Sequence, residues 1–212
     1  SVALATLGCK VNQAESEEIR HRLEANGYVV TDASQKAQVY IINTCTVTHI
    51  ADRKSRNLVQ RACRANPQAR VLVTGCYAQR APQELPSSPQ VQVIPKGTAE
   101  DFAHHLDGLT LTTKPLTLDP IPYTLDPDPL TLGPGHSAPR RRRALIKAHD
   151  GCDQHCTYCV VPLARGGSHS LPVAEVVQRV MEALTSGHRE VVLTGVNLTY
   201  YGQEGGGSLE TL

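Results

Sequence analysis

The 212-residue sequence has few aromatic residues, which make up only 4% of it, with no tryptophan and a single phenylalanine. A packed core must therefore be built mainly from the aliphatic residues that bring the hydrophobic content to 40%. The formal net charge is only +1, so affinity for nucleic acid would have to come from local basic patches. No apolar run approaches the roughly 20 residues that a membrane-spanning helix needs, so we expect no membrane partner.

Cysteine is well represented by contrast, with seven residues. We expect no signal peptide, because Ser1 leads directly into a strand-like run. Cysteines without a secretory signal favour a reducing compartment, and metal ligation over disulfide formation. The sequence therefore predicts a cytoplasmic protein whose thiols bind metal.

Three of the cysteines lie in one short loop, with the spacing Cys152-x3-Cys156-x2-Cys159. Soft sulfur ligands this close together favour one metal centre, either zinc or an iron–sulfur cluster. Three cysteines on a four-iron cluster leave one iron open, and an open iron can bind a substrate. A structural zinc knuckle or a disulfide loop is the simpler interpretation, and the spacing alone does not exclude it.

The first hundred residues alternate between strand-like and helix-like patterns. The predicted strands cover residues 2–7, 28–30, 39–43, 70–74 and 91–94, and the predicted helices cover 12–26, 48–65, 78–85 and 98–106. This alternation indicates an α/β fold with a parallel sheet. Asn12 and Glu15 resemble a capping box at the start of the first helix. The inward stripe of the second helix is expected to comprise Ala51, Ser55, Leu58 and Ala62.

Three further cysteines occupy equivalent positions in this pattern. Cys9, Cys45 and Cys76 each follow the carboxyl end of a predicted strand by one to three residues. Parallel strands bring those ends to one edge of the sheet, where open α/β sheets build their sites. We therefore predict that the three cysteines meet in space. Cys63, in the middle of the second helix, is interpreted as a small packing residue.

Residues 109–142 differ in composition, with prolines too dense for a helix or a central strand. We expect an extended linker between a domain at 1–108 and another at 143–212. The basic run 140–143 that ends the linker is either a solvated chain end or a phosphate-binding patch. The second domain is predicted to contain strands at 144–148 and 190–194 and a helix at 172–186. The core stripe of that helix is expected to comprise Val173, Val176, Val177, Val180 and Leu184.

Several segments together resemble one enzyme family. They are residues 7–13, 43–48, 51–56, 75–79, 151–159, 164–166 and 193–197. On these segments the chain is similar to the radical S-adenosylmethionine (SAM) methylthiotransferases, and most similar to the group that acts on threonylcarbamoyladenosine in tRNA. The resemblance implies a Rossmann-like methylthiotransferase domain followed by the first part of a radical SAM partial (β/α) barrel.

The resemblance also implies two [4Fe-4S] clusters and SAM as cofactors. Cys152, Cys156 and Cys159 would hold the cluster that binds SAM. An auxiliary cluster would be held by Cys9, Cys45 and Cys76. Tyr158 is placed to pack near the adenine of SAM. Thr194 and Asn197, which lie at the end of a predicted strand, are candidate SAM contacts. The alternative for these two residues is an ordinary role in the turn.

The implied reaction is transfer of a methylthio group to C2 of N6-threonylcarbamoyladenosine beside the anticodon, with catalysis residing in the clusters and SAM. The implied partners are tRNA, presented as an anticodon loop, and an electron donor such as flavodoxin or ferredoxin. A methylthiotransferase acting on isopentenyladenosine in tRNA or on a ribosomal-protein aspartate is the alternative within the family. A zinc-binding RNA-interaction fragment without catalysis is the alternative from another class.

The chain departs from the family in its length and in some residues. Only the first two strands of the barrel are present and the usual C-terminal RNA-binding domain is absent, so we expect a fragment. That this fragment is inactive alone is a further alternative. His149 stands where the family often has glutamine, and 167–170 replace a segment that usually carries a second arginine. The exposed edge strands of an incomplete barrel predict poor solubility.

Overall fold

The computed structural model describes residues 1–95, 99–106, 143–205 and 207–212. The predicted linker at 109–142 lies outside the described residues, and so do the first three arginines of the basic run. Its last arginine, Arg143, forms an ion pair of 2.7 Å with Glu190. The division into two domains and the phosphate-binding patch therefore stay predictions.

The first unit is a five-stranded parallel sheet with helices between the strands, as the alternating pattern predicted. Its strands are β1 (Val2–Thr6), β2 (Val30–Asp32), β3 (Val39–Thr44), β4 (Arg70–Gly75) and β5 (Val91–Val93). Its helices are α1 (Lys10–Ala25), α2 (His49–Ala65), α3 (Cys76–Arg80) and α4 (Ala99–Leu106). The strands lie in the order β2-β1-β3-β4-β5, and every neighbouring pair is parallel.

Helices cover both faces of this sheet. On one face Leu23 of α1 and Phe102 of α4 pack against the strands. On the other face Val59 of α2 and Tyr77 of α3 do so. Buried on both sides, β3 reads as a continuous apolar run instead of an alternating one. Two of the few aromatic side chains, Tyr77 and Phe102, therefore lie at helix–sheet contacts.

The second unit is a three-stranded sheet with two helices. It comprises β6 (Arg143–Asp150), α5 (Val161–Arg165), β7 (His169–Ser170), α6 (Val173–Thr185) and β8 (Glu190–Gly195). The strand order is β7-β6-β8, with β6 parallel to β8 and antiparallel to β7. Both α5 and β7 were missing from the sequence-based assignment. Three strands do not define a barrel, so the partial barrel stays a prediction.

The predicted core stripe of α6 is wrong for most of its members. Val176 is buried, but Val173, Val177 and Leu184 are 40%, 48% and 47% exposed. The cause is that the narrow second sheet covers only one strip of the helix, around Val176 and the partly buried Val180. The apolar periodicity was correct, but the surface that it packs against is smaller than expected.

Two local assignments in the first unit also need correction. The capping box does not form, because α1 begins at Lys10 with Cys9 as its N-cap, which places Asn12 and Glu15 inside the helix. Their side chains bond to distant residues, and these tertiary contacts outweigh the local capping pattern. In α2 the buried residues are Asp52, Ser55, Val59 and Ala62, so only half of the predicted stripe is correct. Within the described ranges, none of the helices combines the length and apolar character needed to cross a membrane.

Candidate functional site

The three cysteines of the first unit, here called the first triad, lie at one edge of the parallel sheet. Cys45 directly follows β3, and Cys76 follows β4 as the first residue of α3. Cys9, at the start of α1, lies with Cys76 in the wall of a cavity of about 350 Å³. Cys45 lies beside the Cys9 loop, because a Cβ added to Gly8 would be 3.1 Å from the Cys45 Cβ. The spatial grouping predicted from the strand ends is present.

Buried hydroxyl groups fix the two cysteine loops at the ends of β3 and β4. The Ser55 Oγ accepts a hydrogen bond of 3.3 Å from the Cys45 amide and donates one of 3.0 Å to its carbonyl oxygen. The Thr44 Oγ1 donates to the Thr74 carbonyl oxygen at 2.5 Å and accepts from the Ala78 amide at 3.1 Å. The Cys45 backbone is thereby tied to α2, and residues on either side of Cys76 are tied to β3, as a preorganised ligand requires.

A pair of buried asparagines holds the Cys9 loop against β3. The Asn12 Nδ2 donates to the Asn43 Oδ1 at 3.0 Å, and the Asn43 Nδ2 donates to the Asn12 carbonyl oxygen at 3.0 Å. The Cys9 Sγ donates to the Asn12 Oδ1 at 3.3 Å. Sequence reasoning missed both asparagines as site residues, although both lie inside the segments that carry the family resemblance.

Gly75 allows β4 and Cys76 to pass very close to β3. It has φ +92°, and a Cβ placed there would overlap the Asn43 Oδ1 and the Thr44 carbonyl oxygen. Only glycine meets both demands without strain. The residue before Cys76 is therefore fixed by the close approach of two strands.

Four charged side chains form a cluster where the two units meet. The Arg165 Nη1 donates to the Glu15 Oε1 at 2.9 Å and to the Asp150 Oδ1 at 2.8 Å. The Lys147 Nζ donates to the same Glu15 oxygen at 2.9 Å and to the Asp150 Oδ2 at 3.2 Å. Two cations thus balance two carboxylates. None of the four was predicted as a site residue, and the signal for Arg165 was its place in the 164–166 motif.

This cluster keeps its carboxylates ionised. Burial by itself raises the pKa of Glu15, but the neighbouring Lys147 and Arg165 outweigh that effect and leave the pKa below its ordinary value. The pKa of Asp150 is lowered in the same way, by Arg165 and Lys147 acting against burial. Both carboxylates therefore remain charged at neutral pH and hold the two cations in place.

The buried thiols of the first triad, unlike these carboxylates, are held in their uncharged form. Burial raises the pKa of Cys45, and it raises the pKa of Cys76 to about 11, with the nearby Arg165 opposing the rise in both cases. Without a metal these thiols are protonated at neutral pH. A bound metal would have to displace those protons, as thiolate ligation generally does.

The second triad, Cys152, Cys156 and Cys159, lies in the loop between β6 and α5. The Cys152 amide donates to the Gly166 carbonyl oxygen at 3.0 Å, which closes the loop onto the end of α5. Gly151 has φ +68°, and any Cβ there would overlap the Gly167 carbonyl oxygen. Cys156 is exposed and the other two are partly so. This triad is more open to solvent than the first.

The thiol chemistry of both triads fits iron–sulfur ligation. All seven cysteines are free thiols, and Cys63 packs against the core as predicted. In the described ranges, no three Cys, His, Asp or Glu side chains are grouped closely enough to hold a single metal ion. A four-iron cluster carries its sulfur ligands on separate corners, so Cys9 and Cys76, which both line the cavity, suit it better than they suit one zinc ion. Ligation itself stays a prediction.

The three predicted SAM contacts differ in their placement. Thr194 is buried and lies in the wall of the cavity with Cys9 and Cys76. The Asn197 Oδ1 accepts a hydrogen bond of 2.5 Å from the Thr199 hydroxyl, which is ordinary turn chemistry. Tyr158 is 90% exposed. Of the three, Thr194 is the one that the structure brings to the first triad.

Most of the first unit matches a known protein family, and almost the whole chain is similar to individual proteins. Residues 1–95 match the family described as "Uncharacterized protein family UPF0004". Among individual proteins, the chain is 38% identical over 206 residues to the "threonylcarbamoyladenosine tRNA methylthiotransferase MtaB" of Bacillus subtilis, covering 96% of this chain and 45% of that protein. It is 36% identical over 219 residues to the MtaB of Aquifex aeolicus, covering 100% of this chain and 51% of that protein.

A second group of relatives is less similar. The "tRNA-2-methylthio-N(6)-dimethylallyladenosine synthase" of Thermodesulfovibrio yellowstonii is 29% identical over 209 residues, covering 95% of this chain and 46% of that protein. The chain spans about half the length of the curated relatives it matches. These matches show that the chain is similar to part of proteins named as methylthiotransferases, as its motifs indicated.

Proposed function

We propose that this chain belongs to a radical SAM methylthiotransferase that modifies C2 of N6-threonylcarbamoyladenosine beside the anticodon of tRNA. The observation that carries the proposal is the cavity shared by the two units. Cys9 and Cys76 of the first triad line it on one side. Val160 and Val161, which directly follow the second triad, line it together with Thr194. The names of the relatives supply the reaction.

Two [4Fe-4S] clusters, one at each cysteine triad, and SAM are the proposed cofactors. When bound, these groups would supply the electron, the radical and the methylthio group that the reaction needs. We further propose an electron-donor protein, such as flavodoxin or ferredoxin, and a cytoplasmic location. The buried hydroxyls and asparagines around the first triad would hold its ligands in fixed positions.

The cavity wall suits a base taken from a single-stranded loop. Val11, Val47, Val161 and Val196 make much of the wall apolar, which favours a flat ring and keeps water away from the reacting atoms. Lys10, exposed at the same cavity, is placed to meet a phosphate. Recognition of an unstacked base in a tRNA loop needs this combination of an apolar pocket and a basic rim.

The choice of target within the family follows the relatives. Those named MtaB reach 33–38% identity, whereas those named for dimethylallyladenosine reach 29–31%. Threonylcarbamoyladenosine is therefore the first candidate and isopentenyladenosine the second. Both groups of names favour tRNA over a ribosomal-protein aspartate.

The first test is metal content after purification without oxygen. Wild type and Cys63→Ala should each contain about eight irons and as much sulfide, because Cys63 is a packing residue outside both triads. Cys45→Ala and Cys156→Ala should each retain about half. Stoichiometric zinc without iron, even after reconstitution, would contradict the proposal and support the zinc-binding fragment.

The second test concerns the target nucleoside. A strain lacking the gene is complemented with the full-length gene, wild type or carrying Cys45→Ala or Cys63→Ala, and its tRNA nucleosides are measured by mass spectrometry. We expect 2-methylthio-threonylcarbamoyladenosine with wild type and Cys63→Ala, and its loss with Cys45→Ala. A missing methylthio group on isopentenyladenosine instead would establish the second candidate.

A further inference from the structure

Arg165 belongs to the second unit, but most of its contacts are with the first. Beyond the 2.9 Å bond from its Nη1 to Glu15, its Nη2 donates to the Asn12 Oδ1 at 3.0 Å and to the Glu15 Oε2 at 3.3 Å. The side chain is only 7% exposed, although it carries a full charge. Such a buried cation needs a reason beyond docking, because ion pairs at a junction contribute little when they can be replaced by apolar contacts.

A continuous series of contacts leads through Arg165 from one triad to the other. At its start, the Cys152 amide is bonded at 3.0 Å to the carbonyl oxygen of Gly166, the residue after Arg165. The guanidinium then reaches Asn12, whose Oδ1 also accepts the Cys9 thiol at 3.3 Å. Both ends of this path are triad cysteines, so a shift of Arg165 would change the hydrogen-bonded surroundings of both.

The charge of Arg165 lies beside the first triad as well. Arg165 lines the cavity of about 350 Å³ together with Cys9 and Cys76. Glu15 and Asp150 hold the guanidinium through ion pairs of 2.9 and 2.8 Å. A second cavity at the junction, of about 290 Å³, is also lined by Arg165 and Cys76.

We propose that Arg165 is a positioning residue of the first triad, which holds Asn12 and Cys9 in place and keeps a permanent positive charge beside Cys76. This inference rests on the proposed function, because the group that would feel the charge is the iron–sulfur cluster proposed for the first triad. Charges and hydrogen bonds near the sulfur ligands set the reduction potential of such clusters. Loss of the charge makes an anionic cluster harder to reduce.

The experiment isolates the first triad in the full chain. Cys152, Cys156 and Cys159 are replaced by alanine, and the midpoint potential of the remaining cluster is measured by a redox titration followed by electron paramagnetic resonance. In this background Arg165→Gln should lower the ratio of reduced to oxidised cluster at a fixed potential about tenfold, which is about 59 mV for a one-electron couple. Arg165→Lys keeps the charge and should restore most of the wild-type potential.

Arg179 offers a matched control. Its Nη1 forms an ion pair of 3.2 Å with Glu18 of α1, so it also joins the two units, and it contacts no triad cysteine among the contacts that the structure describes. Arg179→Gln removes the same charge from the same junction and should leave the potential unchanged. A potential that moved equally in both variants would overturn the proposal, because the effect would then come from docking.

Glu15→Gln gives a prediction of opposite sign. It removes a negative charge from the cluster around Arg165 and should make the first-triad cluster easier to reduce, so it tests the proposal even if Arg165→Gln does not fold. Unmoved potentials in Glu15→Gln and Arg165→Gln, with iron bound normally, overturn this inference and leave the proposed function intact. A chain that binds no iron at the first triad overturns both.

Discussion

Replacement of Gly75 by alanine should be costly, because two effects act at this position. The residue has φ +92°, a conformation that costs a non-glycine residue about 1–2 kcal/mol. The added Cβ also overlaps the Asn43 Oδ1, so the asparagine must move. Its three buried side-chain hydrogen bonds, two with Asn12 and one to Ser16, would then be strained or lost at about 1 kcal/mol each.

We therefore expect Gly75→Ala to lower the free energy of unfolding by about 4 kcal/mol, or Tm by roughly 10 °C for a chain of this size. Gly27 and Gly187 are matched controls. They have φ +82° and +89°, but an added Cβ at either position meets no atom within 4 Å. Gly27→Ala and Gly187→Ala should each lower the free energy of unfolding only by the cost of the positive φ, about 1 kcal/mol.

The assay is urea unfolding followed by circular dichroism, with iron content measured in parallel. Because Cys76 directly follows Gly75, the alanine variant should also lose iron at the first triad, whereas the two controls should retain it. Equal destabilisation by all three substitutions would refute the reasoning. It would mean that β4 does not approach Asn43 as closely as the structure shows.

Three further changes test other parts of the molecule. Ser55→Ala removes both hydrogen bonds to the backbone of the loop after β3 and should cost roughly 1–2 kcal/mol and some bound iron, whereas Ser87→Ala, at an exposed loop position, should change neither. In α6, Val176→Ala should cost roughly 1–2 kcal/mol and Val177→Ala under about 0.5 kcal/mol in thermal unfolding, because only the first is buried. Burial lowers the pKa of His149 in the folded chain. As the pH falls, this histidine is therefore protonated in the unfolded chain, where its pKa is about 6.5, before it is protonated in the folded chain. Stability should then decrease by up to roughly 1 kcal/mol between about pH 7 and pH 5.5 in wild type, and less in His149→Gln, as measured by urea unfolding at each pH.

The sequence was sufficient to predict the first sheet and the meeting place of its cysteines. Apolar β-branched runs mark the strands, and the parallel arrangement follows from the alternation with helices. Once the sheet is parallel, the positions of Cys9, Cys45 and Cys76 after strand ends determine the edge on which they lie. This inference needs only local patterns and one rule of topology, and both hold in the structure.

The partners of the cysteines could not be predicted in the same way. Asn12 fits a capping pattern within α1, but its true partner, Asn43, is 31 residues away. Glu15 bonds to Arg165, which is 150 residues away. Local periodicity gives no information about contacts at such separations, and a capping box worth about 1 kcal/mol is outweighed by several buried hydrogen bonds.

In the second unit, the burial of a helix could not be predicted from its sequence pattern. Its apolar helix stripe was recognised, but the periodicity alone does not say how much surface will cover it. Val177 and Leu184 remain about half exposed because three strands give α6 only a narrow contact. Burial depends on the neighbouring elements, and only the structure shows which of them are present in the described residues.

The two ends of the first sheet are stabilised in different ways. This difference determines whether a substitution mainly reduces metal binding or mainly reduces stability. Away from the cysteines the core is apolar, so truncation there costs stability in proportion to the surface lost. At the cysteine edge the buried groups include Asn12, Asn43, Thr44 and Ser55, each hydrogen-bonded to a residue on another element. Such polar contacts add little net stability, but they permit only one arrangement of the loops. Substitutions at this edge should therefore reduce metal binding by more than their effect on unfolding would suggest, and substitutions in the apolar core should do the reverse.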